Sequence, residues 1–426
     1  MILVKKKGLT MISWLLFVVT VVSLILTACI GLHKLFVDGI PADVITEWLI
    51  NYQGGFVRRG LTGEVLLQIC SLWNIPIVWL VVGVYFIGVL ILTGILIKVS
   101  RKIPGLLYLL PYPIFLYVFA GFRLLIARRD AWLLILTFFV FGLLQKYLKE
   151  HKPTQLIGVN VLLCVGLLIH EASVFYIFSL VFVTSFVRSY KTNNDFIRST
   201  TKMFIFWCPV FVILLLVSVF HGDVYSAKLM ATSWKPFLEG VVLNGISAFD
   251  FMEMKFADGI REASYSWLSV SRGVPVALLN LYVIVGTYYL VTRASVFYSD
   301  IKGEKVEEDM CAPVRIGAIM IVQGICLLPS ALLFMSDLSR VLAYWTISSV
   351  MAAYWLKDSL FLPDISLKLS AVINEKMSNV KQLSLPWVYF GVLITLPVGF
   401  HHGDLAGMFP FLTLELKSLL LSMLIS

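Results

Sequence analysis

The sequence predicts an all-α, polytopic integral membrane protein with about 11–12 transmembrane helices and two long extracytoplasmic loops. Three observations carry this expectation. The 426 residues are 59% apolar and only 14% charged, with a mean hydropathy of +0.92. Apolar runs recur along the whole chain at lengths suited to a bilayer rather than to one buried core. Lysine also falls in every second connection between those runs, as the positive-inside rule requires. Nothing in the composition marks a soluble domain, so residues 1–426 read as one integral membrane domain.

Taken in order, the expected spans are Met11 to Leu32, Ile75 to Ile97, Ile103 to Phe122, Ala131 to Leu144, Leu156 to Ile169 and Ala172 to Val187. Met203 to Phe220, Val274 to Val291, Ile316 to Phe334, Val341 to Leu356 and Trp387 to Phe400 complete eleven. A last apolar stretch, Phe409 to Ile425, is a twelfth helix or an interfacial one, and Glu415 and Lys417 near its start favour the interface. The long segments between spans are His33 to Trp73 and His221 to Arg272. Loops of that length are uncommon without a function.

With Lys5, Lys6 and Lys7 in the cytoplasm, the N-terminus and five alternate connections hold 16 Lys and 5 Arg. Both long loops then face outward, and that side keeps 5 Lys and 8 Arg. Lysine orients helices, but a guanidinium adds a planar, permanently charged fork suited to phosphate. An arginine bias on the face opposite the lysines therefore needs a reason beyond topology. The weakest part of the scheme is Leu156 to Val187, too long for one helix and rather short for two. Two half-length helices meeting in the outer leaflet would place His170 and Glu171 at substrate depth, whereas one tilted span would invert everything after it.

The net charge of +9 and pI near 9.1 mostly reflect this topology, with no RNA-binding motif or basic soluble domain, so no nucleic acid is expected. Six cysteines, Cys29, Cys70, Cys164, Cys208, Cys311 and Cys326, lie mostly within apolar runs without CxxC or Cys/His spacing, which argues against disulfides and zinc. Leu26 to Cys29 looks like a lipoprotein processing site, but the preceding apolar run exceeds a signal-peptide core and many spans follow it. No GxGxxG, Walker A, GxSxG or HExxH pattern occurs, so nucleotide-driven, serine-hydrolase and zincin chemistries lack support.

Several polar constellations stand out against this background. Residues 41 to 49 put Val44, Ile45, Trp48 and Leu49 on one helical face and Asp43 with Glu47 on the other, the pattern of an interfacial helix. Asn51 to Glu64 follows, with Gly54, Gly55, Gly60 and Gly63 around Arg58 and Arg59. Glycines permit close approach of a ligand, and backbone amides add donors for an anion; the alternative is a turn whose arginines hold lipid headgroups. Arg123, Arg128, Arg129 and Asp130 lie between two apolar helices, where pairing among themselves and direct function are both expected. His170 and Glu171 are adjacent inside an apolar run and form a proton-handling candidate, since burial raises a carboxyl pKa and pairing lowers it. Asp337 and Arg340 sit at a helix start, Asp337 suiting an N-cap. His401 and His402 follow the eleventh span without a third metal ligand. The second long loop mixes Asp223, Lys228, Lys235, Asp250, Glu253, Lys255, Asp258, Arg261 and Glu262 with aromatics, a blend suited to sugars but not diagnostic.

With about eleven or twelve spans, two long outer loops and arginines and acids gathered at one face, the chain resembles bacterial O-antigen polymerases of the Wzy type. More distantly it resembles other multi-spanning glycosyltransferases that use lipid-linked donors. The resemblance covers the whole chain in topology and rests on no short motif. It implies glycosyl transfer from undecaprenyl pyrophosphate to a hydroxyl of another lipid-linked unit at the outer face of the inner membrane. No cofactor or metal is implied. Expected partners are the lipid-linked oligosaccharide, membrane lipids and a chain-length regulator of the same pathway. Arg58, Arg59, Arg123, Arg128 and Arg129 are then expected at the pyrophosphate, with Glu64, Asp337, Arg340 and His401 also facing substrate. Asp130, His170 and Glu171 are the base candidates. Two alternatives remain. One is a polyprenyl-monophosphate-sugar glycosyltransferase with Asp38, Asp43 or Glu47 as base, and the other is a lipid-linked oligosaccharide flippase, which would want its charges near the midplane.

Overall fold

In the computed structural model the described residues are 42–103, 106, 129–238, 248–249, 281–282, 284–294, 311–333, 338–356 and 362–378. The expected spans Met11 to Leu32 and Trp387 to Phe400, nearly all of Ile103 to Phe122, and the stretch Phe409 to Ile425 lie outside them, as do Arg123, Arg128, Asp337 and His401. Every described element is helical, with no strand among the described residues. In chain order the helices are α1 Ala42–Leu49, α2 Gly60–Trp73, α3 Ile77–Ser100, α4 Asp130–Glu150, α5 Pro153–Ile169, α6 Ser179–Asn193, α7 Phe196–Phe206, α8 Cys208–Val219 and α9 Val224–Trp234. After a helical segment at 284–294 come α10 Cys311–Leu333, α11 Leu338–Leu356 and α12 Asp364–Ser378. Among the described residues four helices are long and apolar enough to cross a membrane, or five if the bent pair α7 and α8 is one span.

Helix α3 has 24 residues, about 36 Å at 1.5 Å per residue, enough for a hydrocarbon core of about 30 Å. Helices α3, α4 and α11 run in the same direction. Trp132 of α4 donates to the Val84 carbonyl of α3, Asp130 of α4 meets Arg340 of α11, and Gly142 of α4 faces Trp355 of α11. Helix α10 returns antiparallel to α11, with the Trp345 indole donating to the Met320 carbonyl and Gln323 donating to Ser348. Several helix hydroxyls close on their own backbone four residues earlier, as Thr93, Thr137, Thr184, Thr292 and Thr346 do. This satisfies them where water is scarce.

The stretch Leu156 to Val187 forms an antiparallel helical hairpin, so the single tilted span is not what the chain adopts. The 17-residue helix α5 ends at Ile169, and the chain returns through a π-helical segment, Val174–Phe178, into α6. Their far ends meet where Arg188 approaches His151 at 3.4 Å. The π segment displaces backbone carbonyls from the α pattern. Two are satisfied from the side: Ser179 donates to the Val174 carbonyl at 2.7 Å and Gln323 to the Tyr176 carbonyl at 2.8 Å.

Two expectations need correction. The span Met203 to Phe220 is not one straight helix: α7 and α8 meet at 66° around Trp207. Pro209 lies at the start of α8, where its missing N–H costs nothing, and Trp207 is buried as the corner. The segment His33 to Trp73 is, over its described part, helical and folded onto the bundle. Ile45, Trp48 and Leu49 of α1 do form one face as expected, but that face packs against Leu66, Leu67, Ile77, Val81 and Trp234 rather than lying on lipid. The Trp234 indole donates to the Leu49 carbonyl at 2.7 Å, closing the end of α1. The second long loop likewise holds α9, which begins at an Asp223 N-cap accepting from the Ser226 amide.

The two ends of the bundle differ in the cations they carry. One carries Lys98, Lys102 and Lys191, with Lys102 4.7 Å over the Tyr354 ring and Lys191 paired to Asp364 at 2.7 Å. The other carries the start of α4, the end of α5, the end of α8, the start of α11 and the turn before α2. There the Arg58 amide donates to the Phe220 carbonyl at 2.9 Å.

Candidate functional site: an arginine cluster at one end of the bundle

At this second end the fold gathers Arg58, Arg59, Arg129, Arg340, Asp130, His170 and Glu171 from four separate parts of the chain. The turn 51–59 places the first two arginines. Gly55 has φ +103°, a conformation that favours glycine, and the Glu64 carboxylate accepts from the Tyr52 amide and from Gln53 and Gln68. Glu64 thus clasps its own loop. The other glycines serve close packing against protein: a Cβ on Gly63 would lie 2.1 Å from the Ile50 carbonyl oxygen, and one on Gly60 would meet the Tyr52 ring. Arg59, just before α2, adopts φ +63°, a left-handed backbone that an L residue holds only at a cost.

That backbone aims the Arg59 fork at Glu171. Nε donates to Oε2 at 2.7 Å and Nη2 donates to Oε1, a side-on bidentate pair. Arg58 approaches the same carboxylate less closely, Nη1 to Oε1 3.8 Å, and its side chain makes no hydrogen bond among the described residues. The three side chains keep 28%, 21% and 22% of their surface for Arg58, Arg59 and Glu171, so solvent reaches them. Burial pushes the Glu171 carboxyl up, but the charges of Arg59 and Arg58 and the Arg59 hydrogen bonds outweigh it and hold it well below the usual range.

Behind this pair the site is dry. Arg129 is fully buried; Nη1 donates to Thr62 Oγ1 at 3.0 Å and to the Arg59 carbonyl at 3.3 Å, while Nε and Nη2 have no hydrogen-bond partner. Burial lowers its pKa to about 10, the Glu47 charge opposing and Arg59 and Arg340 adding to the fall. The His170 ring, 5% exposed, accepts from the Ala172 amide at Nδ1, which leaves the proton on a buried Nε2 that has no partner. Burial, then the charge of Arg59, lowers its pKa well below 6.5, so the ring is neutral. Asp130 accepts from Arg340 Nε at 2.8 Å and from the Tyr344 hydroxyl at 2.7 Å. Tyr344 stacks on Tyr176 of the π segment, ring centroids 3.9 Å apart.

The arrangement suits anion binding better than proton abstraction. His170 presents a donor, Asp130 is held at Oδ1 by a guanidinium and a phenol, and Glu171 is neutralised by two arginines. Sequence reasoning missed Tyr344, Tyr176 and Thr62 as members of the site. The i, i+4 spacing of Arg340 and Tyr344 on one helix face was the available signal for Tyr344. Tyr176 and Thr62 carried none, because their places depend on a π segment and a left-handed turn. No group of three or more His, Cys, Asp or Glu side chains suited to a metal ion occurs among the described residues. Comparison with protein-family models, with curated proteins and with solved structures finds no match to this chain.

Proposed function

We propose that this protein polymerises lipid-linked glycan repeat units, transferring a glycan from undecaprenyl pyrophosphate at the outer face of a bacterial inner membrane. The observation that supports this reading is the convergence of Arg58, Arg59, Arg129 and Arg340 on one bundle end, opposite the end carrying Lys98, Lys102 and Lys191. A departing pyrophosphate gathers negative charge, and preorganised guanidinium donors in a largely water-excluded setting stabilise it without reorganising. Arg58, half-buried and using no side-chain hydrogen bond among the described residues, is the group readiest to receive it. In this reading the chain crosses the membrane eleven or twelve times and the segments around Asp43 and Asp258 are extracytoplasmic. Single cysteines at both positions should label with an impermeant thiol reagent, and labelling at one alone refutes that topology.

The deciding experiment is substitution of each outer arginine by lysine, which keeps the charge but loses the fork. Arg58→Lys and Arg59→Lys should abolish long polymer and leave a single repeat unit on its acceptor, as resolved by glycan banding at equal protein level. Full-length polymer from both variants would leave only headgroup binding. A second reading, glycosyl transfer from a polyprenyl monophosphate sugar, is supported by Glu47, whose charge acts on both Arg59 and Arg129. Single-sugar modification that depends on Glu47, without loss of polymer in a deletion strain, would favour it.

A further inference from the structure

Resting on the reading of a phosphate-linked donor, we propose that Glu171 is a displaceable plug. Its carboxylate fills the anion seat of Arg58 and Arg59, and a donor phosphate takes that seat and releases Glu171 as the base. Four features point to exchange rather than to a permanent ion pair. The Arg59 fork meets both carboxylate oxygens side-on, the geometry it would offer two phosphate oxygens. Arg58 lies 3.8 Å away with its side-chain donors unused among the described residues, so the seat holds one guanidinium more than a carboxylate satisfies. The pair is reached by solvent, unlike Asp130 and Arg340, which are 4% and 5% exposed and closed off by Tyr344. Glu171 also sits in the break between α5 and the π segment, outside any α-helix. The Arg59 backbone, by contrast, is held in its left-handed turn with Arg129 donating to its carbonyl. The fork thus has support beyond the carboxylate it holds.

The exchange would couple donor binding to base formation. Once phosphate neutralises the two arginines, Glu171 loses the charges that depress its basicity and regains affinity for a proton. The attacking hydroxyl oxygen forms its bond to the anomeric carbon, whose bond to the pyrophosphate oxygen breaks, the electron pair leaving with pyrophosphate in the arginine seat. The hydroxyl proton passes to Glu171 and then to water. The enzyme would thereby hold its base inactive until a donor is present.

The test uses the full chain in phosphatidylcholine nanodiscs with inorganic pyrophosphate as the probe. Glu171→Gln and the shorter, charge-retaining Glu171→Asp should bind pyrophosphate more tightly than the wild type, by roughly 10- to 100-fold for the glutamine, the scale of a charge-assisted hydrogen bond. Equal or weaker binding by both overturns the plug. In the wild type, infrared difference spectra should show a shift of a carboxylate stretch on pyrophosphate binding. Binding without that shift, or no binding by any form, also overturns it. A parallel series in phosphatidylglycerol discs separates the sources of phosphate. If the lipid alone produces the shift and pyrophosphate adds nothing, the plug stands and the glycosyl-transfer reading falls.

Discussion

Asp130 and Arg340 offer the sharpest measurement of what holds this site in place. Their side chains are 4% and 5% exposed, Nε to Oδ1 2.8 Å, and Tyr344 closes the pair at 2.7 Å. Removing one partner of such a pair leaves a buried charge uncompensated and costs about 3–5 kcal/mol. Replacing both by neutral groups of similar size is often close to neutral. Asp130→Asn and Arg340→Met should therefore each destabilise the protein, the methionine variant at the lower end because Tyr344 still donates to the carboxylate. The double variant should recover most of the loss. With an unfolding entropy of about 2.1 cal/mol/K per residue over 426 residues, each single change lowers Tm by roughly 3–6 °C. Thermal melts of the detergent-purified protein, followed by tryptophan fluorescence, read this directly. Additive losses in the double variant, or single losses below about 1 °C, would refute the coupled pair. The same series decides the role of Asp130: if it anchors α4 to α11, glycan product falls only as folded protein falls. Wild-type Tm with abolished product in Asp130→Asn would restore it as the base.

Three further outcomes follow from the site's geometry. Arg129→Gln removes a fully buried charge whose Nε and Nη2 have no partner, so Tm should hold or rise while polymer falls, and a drop of several degrees would show that the guanidinium is structural. His170 is held neutral with its pKa pulled below 6.5, first by burial and then by Arg59. The unfolded chain therefore takes up a proton that the folded one refuses, and stability falls as pH drops below about 6.5 by up to about 1.4 kcal/mol per pH unit. Glu171, held low, keeps its own contribution until the pH falls below the usual carboxylate range. The Tm of His170→Gln should thus be flatter than that of the wild type between pH 7 and 5, and parallel curves would contradict a neutral buried ring. Gly63→Ala would set a Cβ 2.1 Å from the Ile50 carbonyl oxygen, whereas Gly83→Ala meets nothing within 4 Å. The first should lower Tm by several degrees or prevent accumulation while the second changes little, and equal behaviour would disprove the close approach.

The apolar runs, the contrast in cations between the two ends and the apolar face of α1 were legible in the sequence, because each depends on local composition or on the 3.6-residue period. Helix α3, the hairpin around His170 and the helices α10 and α11 fall where hydropathy places them, since a bilayer imposes length and apolarity one segment at a time. The candidate residues were legible as well, as costly polar groups in apolar surroundings. Their pairing was not. Arg59 reaches Glu171 across 112 positions and Arg340 reaches Asp130 across 210, and no periodicity in either segment specifies the other. The bend at Trp207, the π segment beside Glu171 and the left-handed turn at Arg59 were also decided by tertiary structure. Each departs from the locally favoured backbone and persists because surrounding contacts outweigh its cost. Sequence alone therefore determined which charges this protein places at one end of its bundle. Packing alone decided that one carboxylate is locked against Arg340 and Tyr344 while the other lies partly buried between Arg58 and Arg59, because burial and partner count are properties of the assembled helices.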